Sequence, residues 1–174
     1  GLSIGPRISE WAQPQSNKGN ICDPSRKDNG AISAFLLPDV TFFKANREQV
    51  TTEEALHLGV DKLHRVRIRW RFQKNGENGE TKTHLRNDKA TSLCMVCRMF
   101  SIIERYIRLV GFNNPEVPIA IYRRNTASTI HTIVAADISA KMRELAQSVY
   151  PIQSKKDLVR WSSHSLRVGA CQIL

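Results

Sequence analysis

Two short motifs near the ends of the chain hold the residue types best suited to chemistry. In Ser163-His164-Ser165-Leu166-Arg167-Val168-Gly169-Ala170, a serine precedes an apolar stretch, as a helix N-cap does. The spacing predicts a helix from near Ser163 to the end of the chain. His164 and Arg167, three residues apart, then share one face of its first turn. An anion there would gain from the free backbone N–H groups and the positive end of the helix dipole. A guanidinium can grip two oxygens of a phosphate at once, and an imidazole can move a proton near neutral pH. Gly5-Pro6-Arg7 repeats the logic, with proline suited to the first helical turn and Arg7 beside unpaired N–H groups. Glu10, three residues on, can orient Arg7. Taken singly, each motif also reads as an ordinary solvated or ion-paired helix face.

The elements that must position these motifs are legible as periodicities. Residues 13–30 are rich in Pro, Gly, Asn and Ser and read as a long loop. Val40 to Lys44 reads as a strand, and Thr52 to Leu58 as a short helix. The clearest local signal is a hairpin. Val66, Ile68, Trp70 and Phe72 alternate with Arg65, Arg67, Arg69 and Arg71, a period of two that separates an apolar face from a guanidinium face. Asn75-Gly76 and Asn78-Gly79 supply residues that tolerate positive φ, as a tight turn requires. The return strand sets Thr81, Thr83 and Leu85 on one face and Lys82, His84 and Arg86 on the other, and the hairpin is expected to gather its basic residues into one cationic face. Such a face is equally readable as a solvated surface or as a contact for a polyanion.

A helix is expected from about Ser92 to Val110, its stripe formed by Leu93, Val96, Phe100, Ile103, Ile107 and Val110 and its end set by Gly111. Ile119 to Tyr122 reads as a short strand. A further amphipathic helix carries Ile138, Met142, Leu145 and Val149 and stops at Pro151. The order predicts an α+β fold, mainly helical with a small antiparallel sheet.

Composition narrows the function classes. The chain has 174 residues, enough for one domain. Lys and Arg number 26 against 16 Asp and Glu, a net charge of +10 that favours polyanionic partners, nucleic acid above all. No apolar run approaches the roughly 18–20 residues of a membrane span. Of the four cysteines, Cys94 and Cys97 form a CxxC with no second pair at zinc-module spacing; they read as small buried hydrophobes, and neither a metal nor another cofactor is expected. Free thiols fit an intracellular compartment.

Together the motifs resemble the tyrosine recombinases, the family of phage integrases and their eukaryotic mobile-element relatives. Gly5-Pro6-Arg7-Ile8-Ser9-Glu10-Trp11 is similar to the segment that carries their first catalytic arginine, although Pro6 replaces an apolar residue. His164-Ser165-Leu166-Arg167 is similar to their His-x-x-Arg box, and Lys74 in the hairpin turn to their hairpin lysine, with Lys82 as a competitor. The resemblance covers nearly the whole chain and agrees in order and spacing. It implies a recombinase-type catalytic domain that cuts and rejoins double-stranded DNA through a 3′-phosphotyrosyl intermediate. Arg7 and Arg167 would clamp the scissile phosphate, His164 would assist proton transfer, and Lys74 would protonate the departing 5′ oxygen. Metal-independent catalysis and self-assembly of the full-length enzyme on DNA are implied too, with a nuclear location in a eukaryotic host and a cytoplasmic one otherwise.

The family's tyrosine lies a few dozen residues beyond the His-x-x-Arg box. Residues 1–174 are therefore expected to be a partial catalytic domain without the nucleophile segment or the DNA-clamping N-terminal domain. Arg65, Arg67, Arg69, Arg71, Lys82 and Arg86 are the expected DNA-backbone contacts. The alternative is a non-catalytic DNA-binding relic or a domesticated domain of a mobile element. An RNA-binding domain fits less well, because Trp70 and Phe72 fall on the apolar side of the hairpin and leave no stacking platform.

Overall fold

The computed structural model describes residues 34–71, 78–123, 130–150 and 154–162. These form an α+β arrangement of six strands and four α-helices with short 3-10 turns. Strands β1 (Val40–Phe43), β2 (Gln49–Val50), β3 (Arg65–Arg69) and β4 (Thr81–Leu85) make a four-stranded antiparallel sheet in the order β2-β1-β3-β4. A separate antiparallel pair joins β5 (Ile121–Arg123) to β6 (Ile130–Thr132). The helices are α1 (Thr52–Leu58), α2 (Met95–Val110), α3 (Ala135–Val149) and α4 (Lys155–Arg160).

Strand β3 forms where the alternation predicts it. Val66, Ile68 and Trp70 are buried, while Arg65, Arg67, Arg69 and Arg71 between them are half-buried or exposed. The turn side is tied by Trp70 N–H to the Glu80 carbonyl at 2.7 Å and Gly79 N–H to the Trp70 carbonyl at 2.6 Å. Gly79 holds φ at 85°, a conformation glycine adopts without steric cost.

Among the described residues, helix α2 covers one face of the sheet. That face presents Val40, Phe42, Val50, Val66 and Ile68 to the buried side of α2, made of Val96, Met99, Ile103 and Tyr106. Phe42 meets Phe100 edge-on at 6.4 Å between ring centroids, and Phe35 meets Trp70 likewise at 4.9 Å. Apolar burial of this kind supplies roughly 25 cal/mol per Å². The packing rotates the expected stripe of α2: Met99 and Tyr106 take central places, Phe100, Ile107 and Val110 sit at the margin, and Leu93 is 65% exposed. Leu93 falls in a 3-10 turn (Thr91–Leu93) ahead of the helix, so the 3.6-residue period does not extend back to it. Gly111, at φ 74°, ends α2 as expected.

Helix α1 matches its predicted span and carries a capping box. The Thr51 hydroxyl accepts from Glu54 N–H at 3.1 Å, and the Glu54 carboxylate accepts from Thr51 N–H at 2.7 Å. Helix α3 departs from expectation in a different way. It has the predicted end at Val149, but Leu145 and Val149 are exposed and Ala146 is its buried residue. Its amphipathic stripe is real in sequence and largely unburied among the described residues. Helix α4 and strands β2 and β6 were not expected; each is too short to show a period. No helix among the described residues is long and apolar enough to cross a membrane. The expected loop over 13–30 and the expected helix from Ser163 lie outside the described residues.

Candidate nucleic-acid interface

The face of the four-stranded sheet that α2 does not cover holds the arginines of β3. Because directly opposed residues of antiparallel strands point to the same side, the register fixes its membership. Arg65 lies between Phe43 and Leu85, and Arg67 between Thr41 and Thr83; Arg69 pairs with Thr81. Gln49 of β2 extends the row beyond Phe43.

This register corrects the expectation of a single face for all the basic residues. Lys82 and His84 pair with Ile68 and Val66 and therefore belong to the side of the sheet that α2 covers. Lys82 remains exposed and binds Glu80. His84 is half-buried, and burial holds its imidazole below the ordinary value of 6.5. Arg86 lies just past β4 and is largely enclosed. Its guanidinium donates to the Val60 carbonyl, to Asp61 at 3.2 Å and to Asp88, and the bond to Asp88 raises its pKa. Its charge meets two carboxylates, and its geometry is that of a brace between β4 and the turn after α1. Sequence periodicity alone sorts each strand into two faces; which faces coincide depends on the register, and hence on the turn.

On the open face the arginines are pre-arranged by two further residues. Counting the β1–β3 register one step back brings Asp39 opposite Arg69. The Asp39 carboxylate is 2% exposed and accepts Nε and Nη2 of Arg69 at 2.9 and 2.6 Å on one oxygen. The other oxygen accepts Nε of Arg71 at 2.6 Å and Leu36 N–H at 2.9 Å. Arg69 and Arg71 keep 47% and 29% of their side-chain surface, so each can present part of its fork to solvent while anchored. Arg67 lies over the Phe43 ring at 4.9 Å from its centroid and donates to Gln49 at 3.2 Å. Arg65 has no acid partner among the described residues.

The arrangement is a row of four guanidinium groups, three on β3 and one just past it, two of them fixed by a buried carboxylate and one by an aromatic ring. Rigid forks of this kind suit phosphate oxygens. Asp39 and Phe43 were not anticipated. The signal available for Asp39 is its place beside a predicted strand and opposite the arginine positions, visible only once pairing is known.

Arg7, Lys74, His164 and Arg167 lie outside the described residues. Lys74 falls in the connection between β3 and β4. Three tyrosines are described. Tyr106 is fully buried, its hydroxyl donates to the Asn114 carbonyl, and burial together with the Glu116 charge raises its pKa. The Tyr122 hydroxyl lies 3.4 Å from Asp137, and Tyr150 stacks on Trp161 at 5.5 Å. Among the described residues no group of three or more His, Cys, Asp and Glu is placed to hold a metal. No protein family, characterised protein or solved structure matches the chain.

Proposed function

We propose that this chain belongs to a DNA-breaking and rejoining enzyme of the tyrosine recombinase type, and that the open face of its sheet contacts the DNA backbone. The observation that carries the reading is the arginine row on β3, set in chain order between the Arg7 motif and the His164-x-x-Arg167 box. In this reading Arg7 and Arg167 hold the non-bridging oxygens of one phosphate, His164 assists proton transfer, and Lys74 protonates the leaving oxygen. Phosphoryl transfer depends mostly on positioning and on charge stabilisation, which two guanidinium groups and an ammonium supply. The attacking oxygen is a tyrosine hydroxyl activated by loss of its proton.

Tyr106, Tyr122 and Tyr150 do not suit that role, since each is already engaged in the contacts described above. The test is a nicked duplex that traps the phosphotyrosyl adduct, run on a denaturing gel with the protein of the complete reading frame. A shifted band that is lost in Arg7→Ala and in Arg167→Ala, with duplex affinity largely kept, is the expected result. A band mapping to Tyr106 would contradict the reading.

A second reading is a DNA-binding domain without chemistry. One observation favours it independently: the arginine row needs none of the four proposed catalytic residues to attract a phosphate backbone. Salt-sensitive duplex binding with no adduct from the complete protein selects it.

A further inference from the structure

The Cys94-x-x-Cys97 pair takes no part in the proposed DNA chemistry, and its surroundings set it apart from ordinary core cysteines. Cys94 occupies the N-cap position of α2, a helix of 16 residues. Its sulfur accepts the backbone N–H of Asn87 at 3.2 Å. The turn that delivers this N–H is itself fixed, because the Asn87 side chain accepts from Lys89 and Ala90 N–H, each at 3.1 Å. Both thiols are free. Cys94 is buried, whereas Cys97, one turn on, is half-buried and reaches solvent.

The electrostatics divide the two sulfurs. Burial alone would raise the Cys94 thiol, but the hydrogen bond from Asn87 N–H and the polar groups of the first helical turn outweigh it, so its pKa falls below the usual thiol value. Cys97 is pushed up, by burial first and then by the neighbouring Cys94, with the Arg86 guanidinium pulling the other way and Asp88 adding to the rise. A helix N-terminus, a neighbouring guanidinium and CxxC spacing are the surroundings that favour thiolate chemistry.

We propose that Cys94 and Cys97 form a dithiol–disulfide couple that exchanges with small disulfides, Cys97 being the entry sulfur and Cys94 the resolving one. In the first step the Cys97 thiolate attacks one sulfur of a low-molecular-weight disulfide such as glutathione disulfide. A Cys97–glutathione bond forms, the external S–S bond breaks, and one glutathione leaves as a thiolate that takes the proton given up by Cys97. In the second step the Cys94 thiolate attacks the Cys97 sulfur. The Cys94–Cys97 bond forms, and the second glutathione departs and takes the proton from Cys94. The two cysteines lose two electrons and two protons, and the external disulfide gains them. Burial of Cys94 keeps a bulky disulfide from starting there, and its thiolate character drives the second step. This proposal stands independently of the DNA reading.

Trypsin makes the test direct, because Lys89 and Arg98 bracket both cysteines in one peptide of residues 90–98, apart from Cys22 and Cys171. The folded chain is equilibrated at neutral pH with glutathione and glutathione disulfide, quenched with acid, unfolded, blocked with a maleimide and digested. The wild-type peptide is expected to carry neither maleimide nor glutathione and to be lighter by two hydrogens. Cys94→Ser should trap glutathione on Cys97, and Cys97→Ser should yield only the maleimide adduct of Cys94. The second step, release of glutathione from Cys97 by Cys94, should be slower in urea, where the helix N-terminus and the Asn87 contact that favour the Cys94 thiolate are lost. A wild-type peptide bearing two maleimides, or bearing unresolved glutathione, overturns the proposal, as does a rate in urea equal to or above that of the folded chain.

Discussion

Asp39 is the residue on which the cationic face most depends. A carboxylate that is 2% exposed is tolerated because three donors saturate it, two of them charged. Removing one partner of a fully buried ion pair costs about 3–5 kcal/mol. Here the partners left behind keep 47% and 29% of their side-chain surface and can turn to water. Asp39→Asn should therefore cost less, about 1–3 kcal/mol, measured by urea denaturation. It should also free both guanidinium groups, so that duplex affinity becomes more sensitive to salt even as the fold weakens. Equal stability of variant and wild type would show that the carboxylate is only a spectator. His84 gives a pH signature. Its folded pKa lies below 6.5 because burial disfavours the imidazolium, so the unfolded chain binds the proton more readily. Its contribution is then complete above about pH 6.5 and is lost as pH falls through the lower folded value. His84→Gln should flatten the fall in stability between about pH 7 and 5. An unchanged slope would place the acid sensitivity elsewhere.

Helices α2 and α3 show the same amphipathic pattern with opposite outcomes. Ile103 on α2 is fully buried against the sheet, so Ile103→Ala should cost about 2–5 kcal/mol. Leu145 on α3 is 56% exposed, so Leu145→Ala should stay within about 0.5 kcal/mol in the same denaturation experiment. Comparable losses would mean that α3 buries its stripe in solution. Helix α1 has only seven residues and leans on its cap. Thr51→Ala removes the acceptor for Glu54 N–H and should cost about 0.5–2 kcal/mol. Glu54, its carboxylate pKa lowered by the Thr51 N–H, helps the helix above the ordinary carboxylate range and stops doing so in acid.

The net charge of +10 becomes informative once its distribution is known. Arg86 is spent on Asp61 and Asp88, Lys82 on Glu80, and Arg69 and Arg71 share Asp39. Arg65 and Arg67 therefore carry the least compensated charge on the open face. In a salt series with random-sequence duplex, each of Arg65→Ala and Arg67→Ala should weaken binding similarly for all sequences. Each should also reduce the slope of log affinity against log salt by about 1. Arg86→Ala should leave that slope nearly unchanged and lower the melting temperature. The reverse pattern would move the interface off the open face.

Local periodicity was enough to place β1, the helix over Thr52–Leu58, the alternation of β3 and the end of α2 at Gly111, because each of these is decided by residues within a turn or two of one another. The α+β class followed from their order. Tertiary structure decided what depends on pairing at a distance. The β3–β4 register moved Lys82 and His84 away from the arginine face, since a strand's alternation sorts its side chains into two sides without saying which side of its neighbour they join. The burial of Tyr106 and Met99 in place of Leu93 followed from where the sheet lies against α2, and the exposure of Leu145 and Val149 from the lack of a described element against that side of α3. Asp39 precedes Arg69 by thirty residues, and only the folded sheet brings an acid that looks solvated in sequence beneath two guanidinium groups.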